Sequence, residues 1–102
     1  AVDLRKNSKT FGKYFSTILS EKNCKSIYIP PGFAHGFFVL SDIAIFQYKC
    51  TEYYHPEDEY GINWNDKTLE IDLGDDNKTL SKRDELLPKL SEVDNNLLPQ
   101  FN

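Results

Sequence analysis

Apolar and polar residues alternate in short runs along most of the chain, and turn-forming residues separate the runs. Residues 1–5 alternate weakly and end in the polar stretch 6–10, after which Gly12 permits a tight turn. Residues 14–19 place aromatic or aliphatic side chains between small polar ones, the pattern of a half-buried strand. A polar turn over 20–25 leads to a strand at 26–29, which Pro30, Pro31 and Gly32 stop, since proline cannot donate to a ladder.

Residues 33–40 and 43–50 predict a hairpin joined by Ser41 and Asp42. Phe33, His35, Phe37 and Val39 share one face of the first strand, and Ala44, Phe46, Tyr48 and Cys50 share one face of the second. Both strands are apolar on both sides, so the hairpin is expected to be covered on both faces, within a two-sheet sandwich or at a subunit interface. Residues 51–60 read as a polar, aromatic-rich loop containing Pro56, 61–64 as a short strand, Asn65 and Asp66 as a turn, 68–73 as a strand and 74–79 as a polar loop. Ser81 offers a helix N-cap with Asp84 at the capping-box position, predicting a short helix from about 82 to 87 that stops near Pro88. The Asn-rich tail 91–102 is expected to be loosely ordered. The pattern is all-β, a barrel or sandwich with one late helix; a parallel α/β sheet would need long helical patterns between strands.

The length of 102 residues fits one small domain, and a hydrophobic fraction of 39% with seven Phe and six Tyr is enough for a packed core. A domain this small is marginal alone, which makes help from a partner chain an early expectation. The net charge of −4 comes without a Lys/Arg block, so a nucleic-acid partner is not expected, although a few local cations suffice for one diphosphate. Cys24 and Cys50 lack zinc or CxxC spacing and read as free thiols of a cytoplasmic protein. No apolar run is long enough to span a membrane, and no signal-peptide pattern is present. The chain has no Met and opens at Ala1 inside what reads as a strand, which suggests a fragment or a processed chain.

His35 and His55 are the only histidines; His35 has no His or Glu two or four positions on, and His55 lies twenty positions away in a loop, so no metal site is expected from this chain alone. His35 is either a hydrogen-bonded core histidine or a cavity-facing imidazole that binds a substrate oxygen. Tyr48 is either a core aromatic or a general acid, a role that needs a site stabilising the phenolate, because a phenol ordinarily titrates near pH 10. Tyr53 and Tyr54 either cap a barrel rim or offer a stacking platform to a flat base. Glu57, Asp58 and Glu59 read as a solvated acidic loop, and Arg83 and Asp84 as a cation and a carboxylate at the start of the helix.

Ile29-Pro30-Pro31-Gly32-Phe33-Ala34-His35-Gly36-Phe37, the run from Tyr48 to Tyr54, and the run from Pro56 to Trp64 together resemble the dTDP-4-dehydrorhamnose 3,5-epimerase family. Val2-Asp3-Leu4-Arg5 with Ser8, Thr10, Phe11 and Gly12, and the closing Leu80-Ser81-Lys82-Arg83-Asp84, extend the match to all but about the last dozen residues. The resemblance implies a cupin-type jelly-roll barrel, here incomplete, with residues 1–90 its C-terminal portion and 91–102 a polar tail. It implies a homodimer and a cofactor-free isomerase that converts dTDP-4-dehydro-6-deoxy-D-glucose to dTDP-4-dehydro-L-rhamnose, for polysaccharide precursors. Tyr48 matches the catalytic tyrosine and Asp84 the aspartate that orients the base histidine. His35, Tyr54 and Glu59 match substrate-binding positions. Arg83 stands where the family tends to have Lys, keeping the charge but not the shape.

The base histidine of that family lies in a segment that residues 1–102 do not match, and neither His35 nor His55 has its context. The chain by itself is therefore expected to lack the proton abstractor and part of the pocket, and to be inactive if complete. A 3- or 5-only epimerase, a ketoisomerase, or a non-catalytic sugar-nucleotide-binding cupin are the alternatives.

Overall fold

Asp3 is the most deeply buried side chain, at 1% exposure, and the surrounding chain is arranged to satisfy its charge. Arg5 donates from Nε to Oδ1 and from Nη2 to Oδ2, both at 2.8 Å, and its backbone N–H adds a third bond to Oδ1 at 3.0 Å. The hydroxyls of Ser8 (2.6 Å) and Thr10 (2.7 Å) both donate to Oδ2. Burial alone would raise the carboxyl pKa, but the Arg5 guanidinium, helped by the two hydroxyls and the Arg5 amide, holds it far below the carboxylate range. Arg5 is itself held above its ordinary value by the same contact.

The computed structural model describes residues 1–74 and 78–101. It is mostly non-helical, with a two-stranded antiparallel sheet and one short α-helix. Strand β1 (Val2–Asp3) pairs with β2 (Phe33–Ala34), Val2 opposite Ala34 and Asp3 opposite Phe33. On its other side β1 is bridged to Tyr14, with Asp3 donating to the Lys13 carbonyl and Phe15 to that of Ala1. Helix α1 (Lys82–Glu85) starts as the sequence predicts: the Ser81 hydroxyl accepts from the Asp84 amide at 3.1 Å. It ends at Glu85, two residues earlier than expected, with Leu86 as its C-cap.

Residues 91–101 are more engaged than a loose tail. Leu90–Glu92 form a 3-10 turn, Leu98 is buried, and Lys6 exchanges backbone hydrogen bonds with Pro99 and Phe101. The Arg5 guanidinium lies between the Phe33 ring (4.6 Å) and the Phe101 ring (4.8 Å), so the cation that neutralises Asp3 also joins β2 to the tail. Gly32, at φ +89°, lies where any Cβ would run into the Arg5 stem. The second buried carboxylate, Asp66, does similar work. It accepts from the Thr68 amide and hydroxyl and from the Leu90 amide, which hold its pKa below the usual range. The turn that it closes, with buried Leu69 and with Glu70 at positive φ, replaces the strand expected over 68–73.

The hairpin of 33–50 is present as a chain reversal without a backbone ladder. The Ser41 hydroxyl donates to the Ile43 carbonyl at the bend, and Phe37 stacks on Phe46 at 4.3 Å between ring centroids. Only Phe33 and Ala34 are in a ladder, and they pair with β1. The strands expected over 14–19, 26–29 and 61–64 likewise form no ladder of their own. These stretches lie largely uncovered. The accessible surface is 9184 Å², whereas a compact 11.8 kDa monomer exposes about 5,900 Å². Phe37, Leu40, Ile43, Ile45 and Tyr48 are all more than half exposed. The centre of the loop expected over 74–79, residues 75–77, and the terminal Asn102 lie outside the described residues.

Two outcomes are expected. Asp3→Ala leaves the Arg5 guanidinium and two hydroxyls without their acceptor and should cost about 2–3 kcal/mol of stability in urea unfolding at neutral pH. Because folding depresses the Asp3 pKa, the unfolded chain takes up the proton first, so stability is retained above the ordinary value of 3.8 and declines as pH falls below it. Urea midpoints at pH 7 and pH 3 should therefore differ more for the natural sequence than for Asp3→Asn; equal differences would contradict this account.

Candidate functional site

Tyr54, Glu59 and Arg83 come from two separate stretches and meet in one chain of hydrogen bonds. A 3-10 turn at Pro56–Asp58 reverses the loop, with Pro56 at its first position and the Glu59 amide donating to the Pro56 carbonyl. This brings the Glu59 carboxylate back to the Tyr54 hydroxyl, which donates to Oε2 at 2.8 Å. Arg83, on α1, donates from Nη1 to the other oxygen, Oε1, across 24 residues of sequence.

The three groups shift one another. The Arg83 guanidinium, with the Tyr54 hydroxyl adding to it, holds the Glu59 carboxyl below its ordinary range. Glu59 in turn raises the Arg83 pKa and, through the phenol's hydrogen bond, the Tyr54 pKa. Two further groups named from sequence lie within electrostatic reach: Tyr48 acts on Tyr54, and the Asp84 carboxylate acts on Arg83. All of this is at the surface, with Tyr54 72% and Tyr48 69% exposed.

Three of the six site residues expected from the sequence, Tyr54, Glu59 and Arg83, are thus joined by hydrogen bonds, and Asp84 is the chain neighbour of Arg83. His35 follows β2, is exposed, and takes no part in these hydrogen bonds. Tyr48 rests its ring on Phe46, 5.3 Å between centroids, continuing the aromatic row that begins with Phe37. The Nδ1 of His55 lies 3.5 Å from the Glu57 carboxylate. Among the described residues no group of three or more His, Cys, Asp or Glu side chains is placed to hold a metal ion. A cleft of about 530 Å³ opens beside Glu59, with Phe33, Ala34, Ile62, Leu87 and Leu97 in its walls. The link between Tyr54, Glu59 and Arg83 was readable only in part, from an acid five positions after a tyrosine with a proline between.

Comparison with known proteins now bears on what this cluster belongs to. A family model described as dTDP-4-dehydrorhamnose 3,5-epimerase matches residues 1–92. The chain belongs to this family. It is 53% identical to the enzyme of that name from Escherichia coli K12 over 94 residues, 91% of this chain and 51% of the relative. It is 48% identical to the one from Methanothermobacter thermautotrophicus over 99 residues, 97% of this chain and 50% of the relative. The Mycobacterium tuberculosis relative is 36% identical over 104 residues, covering 98% and 52%. The chain thus spans about half the length of the curated relatives it matches. No solved structure matches it significantly. The epimerase family is one of isomerases acting on dTDP-sugars, and no helix among the described residues is long and apolar enough to cross a membrane.

Proposed function

We propose that the protein to which these residues belong is a dTDP-4-keto-6-deoxy sugar epimerase acting at C3 and C5, with the Tyr54–Glu59–Arg83 cluster as the nucleotide end of its site. The observation that carries this reading is that three family-matched residues from two stretches, Tyr54, Glu59 and Arg83, are joined by hydrogen bonds. Family membership supplies the reaction class.

The chemistry suits these side chains. Protons beside a ketone are acidic because the resulting anion spreads onto the carbonyl oxygen, so epimerisation needs a base on one ring face, an acid on the other and a donor at the enolate oxygen. Tyr48 is the acid that returns a proton to the carbon. His35 donates a ring N–H to the C4 oxygen. Asp84 orients the base, which comes from outside residues 1–102. Tyr54 stacks on the thymine ring, and Arg83, whose remaining N–H groups bond to no described residue, faces the diphosphate. None of these steps calls for a metal or an organic cofactor.

The excess surface fits the same picture. About 3,000 Å² beyond the expectation for a compact chain is the area of an obligate interface. We assign the aromatic row of residues 37–48 to the inner wall of a cupin-type jelly-roll barrel, closed by strands from outside this stretch, in a homodimer of the cytoplasm. Closure would dry Tyr48 and His35, with Tyr48 on the ring face opposite the base and His35 beside the C4 oxygen.

Tyr48→Phe in the complete protein should suppress deuterium incorporation from heavy water, most of all at C5, while dTDP affinity changes little. Unchanged exchange at both carbons would remove Tyr48 from the mechanism. Tyr54→Ala should instead weaken dTDP binding, by roughly ten- to a hundredfold if a base stacks there. Calorimetry showing full affinity would remove the stacking assignment.

A further inference from the structure

We infer that Glu59 is a positioning residue, tying the Tyr54 ring to the Arg83 guanidinium at one fixed spacing, and that it thereby selects a ligand carrying both a flat ring and an anion over an anion alone. The inference rests on the reading of this patch as the nucleotide end of the site.

Both Glu59 oxygens are already engaged, Oε2 by the Tyr54 hydroxyl and Oε1 by Arg83, so Glu59 is set to act on a ligand through its two partners. Those partners are the groups that most need holding. Tyr54 is 72% exposed and the Arg83 side chain 52%. They stand on different segments, and each would otherwise sample several rotamers. Glu59 itself is anchored, because its amide closes the 3-10 turn that Pro56 begins. Ordering the two arms before the ligand arrives lowers the cost of ordering them on binding.

The same contact has an opposite effect on simple anions. The Glu59 charge partly neutralises Arg83 and occupies one of its N–H groups, so an anion with no ring meets a weakened cation and gains nothing from the ordered Tyr54. The residue thus exchanges electrostatic attraction for geometry. The Tyr54 hydroxyl donates to Glu59, whose other oxygen accepts from Arg83.

Calorimetry of the complete protein with dTDP and with inorganic pyrophosphate decides the matter. Glu59→Gln keeps the shape and removes the charge. It should weaken dTDP by about tenfold while pyrophosphate binds as well or better, and in a Tyr54→Phe background the dTDP loss should shrink to less than about threefold. Equal weakening of both ligands, or an undiminished loss in the Tyr54→Phe background, would overturn the inference. A ligand-free measurement separates it from the reading beneath it. The phenol carbon of Tyr54, assigned by its disappearance in Tyr54→Phe, should titrate at lower pH in Glu59→Gln, because the bond to the carboxylate holds the proton on. If the natural sequence fails to bind dTDP, the nucleotide assignment falls. An unmoved phenol titration sinks the positioning role whatever the ligand.

Discussion

Asp3 carries a charge where water does not reach it, and much of the ordered chain is arranged around that fact. A buried carboxylate is costly unless donors surround it. Here they come from the next seven residues, so the segment after β1 must curl back over the strand it has just left. The curl places the Arg5 guanidinium between Phe33 and Phe101, and that contact joins the first residues of the chain to its middle and its end. It also explains Gly32, the residue whose missing side chain lets the Arg5 stem pass. Asp66 repeats the device on a smaller scale, fastening the turn after Trp64 to Leu90. The folded part of this chain is stabilised at its centre by satisfied carboxylates as much as by its buried aliphatic residues Val2, Leu69 and Leu98.

The aromatic row has the opposite character. Residues 37–48 are largely apolar on both faces, and most of their large side chains are exposed. A strand is a non-local object: its backbone groups are satisfied by another strand, and its side chains by a second layer. Where partners exist within the chain, as for Val2–Asp3 and Phe33–Ala34, a ladder forms; where they do not, only side-chain stacking such as Phe37 on Phe46 remains.

The same distinction decides what was legible in the sequence. Ser81 capping Asp84, the bend at Ser41 and the turn around Asp66 depend on residues within four positions of each other, and local chemistry names them. The strand pattern indicated an all-β chain, yet alternation says which face is apolar and nothing about who covers it. The tail misled for a related reason. Its polarity suggests looseness, but Leu98 is buried, and Phe101 stacks with Arg5, more than ninety positions away. At the site, motif resemblance named Tyr48, Tyr54, Glu59, Arg83 and Asp84, while the hydrogen bonds through Glu59 needed the folded loop to bring position 54 to position 83.

These contrasts bear on how the proposed site divides its work. The nucleotide end is self-built. Glu59 holds its two partners through bonds that need nothing beyond the loop and the helix, and such bonds survive exposure because one of them is an ion pair and both go to a carboxylate. The chemical end cannot be self-built in the same way. An enolate in open water gains little from one phenol and one imidazole, since water offers comparable hydrogen bonds and reprotonates either face without preference. Under the proposed function, Tyr48 and His35 need covering walls that the described residues do not give them. The side chains that leave this chain so apolar at residues 37–48 are the ones a dry cavity requires. On this reading the exposed aromatic row and the exposed catalytic phenol are one feature: Tyr48 is the member of that row that carries a proton.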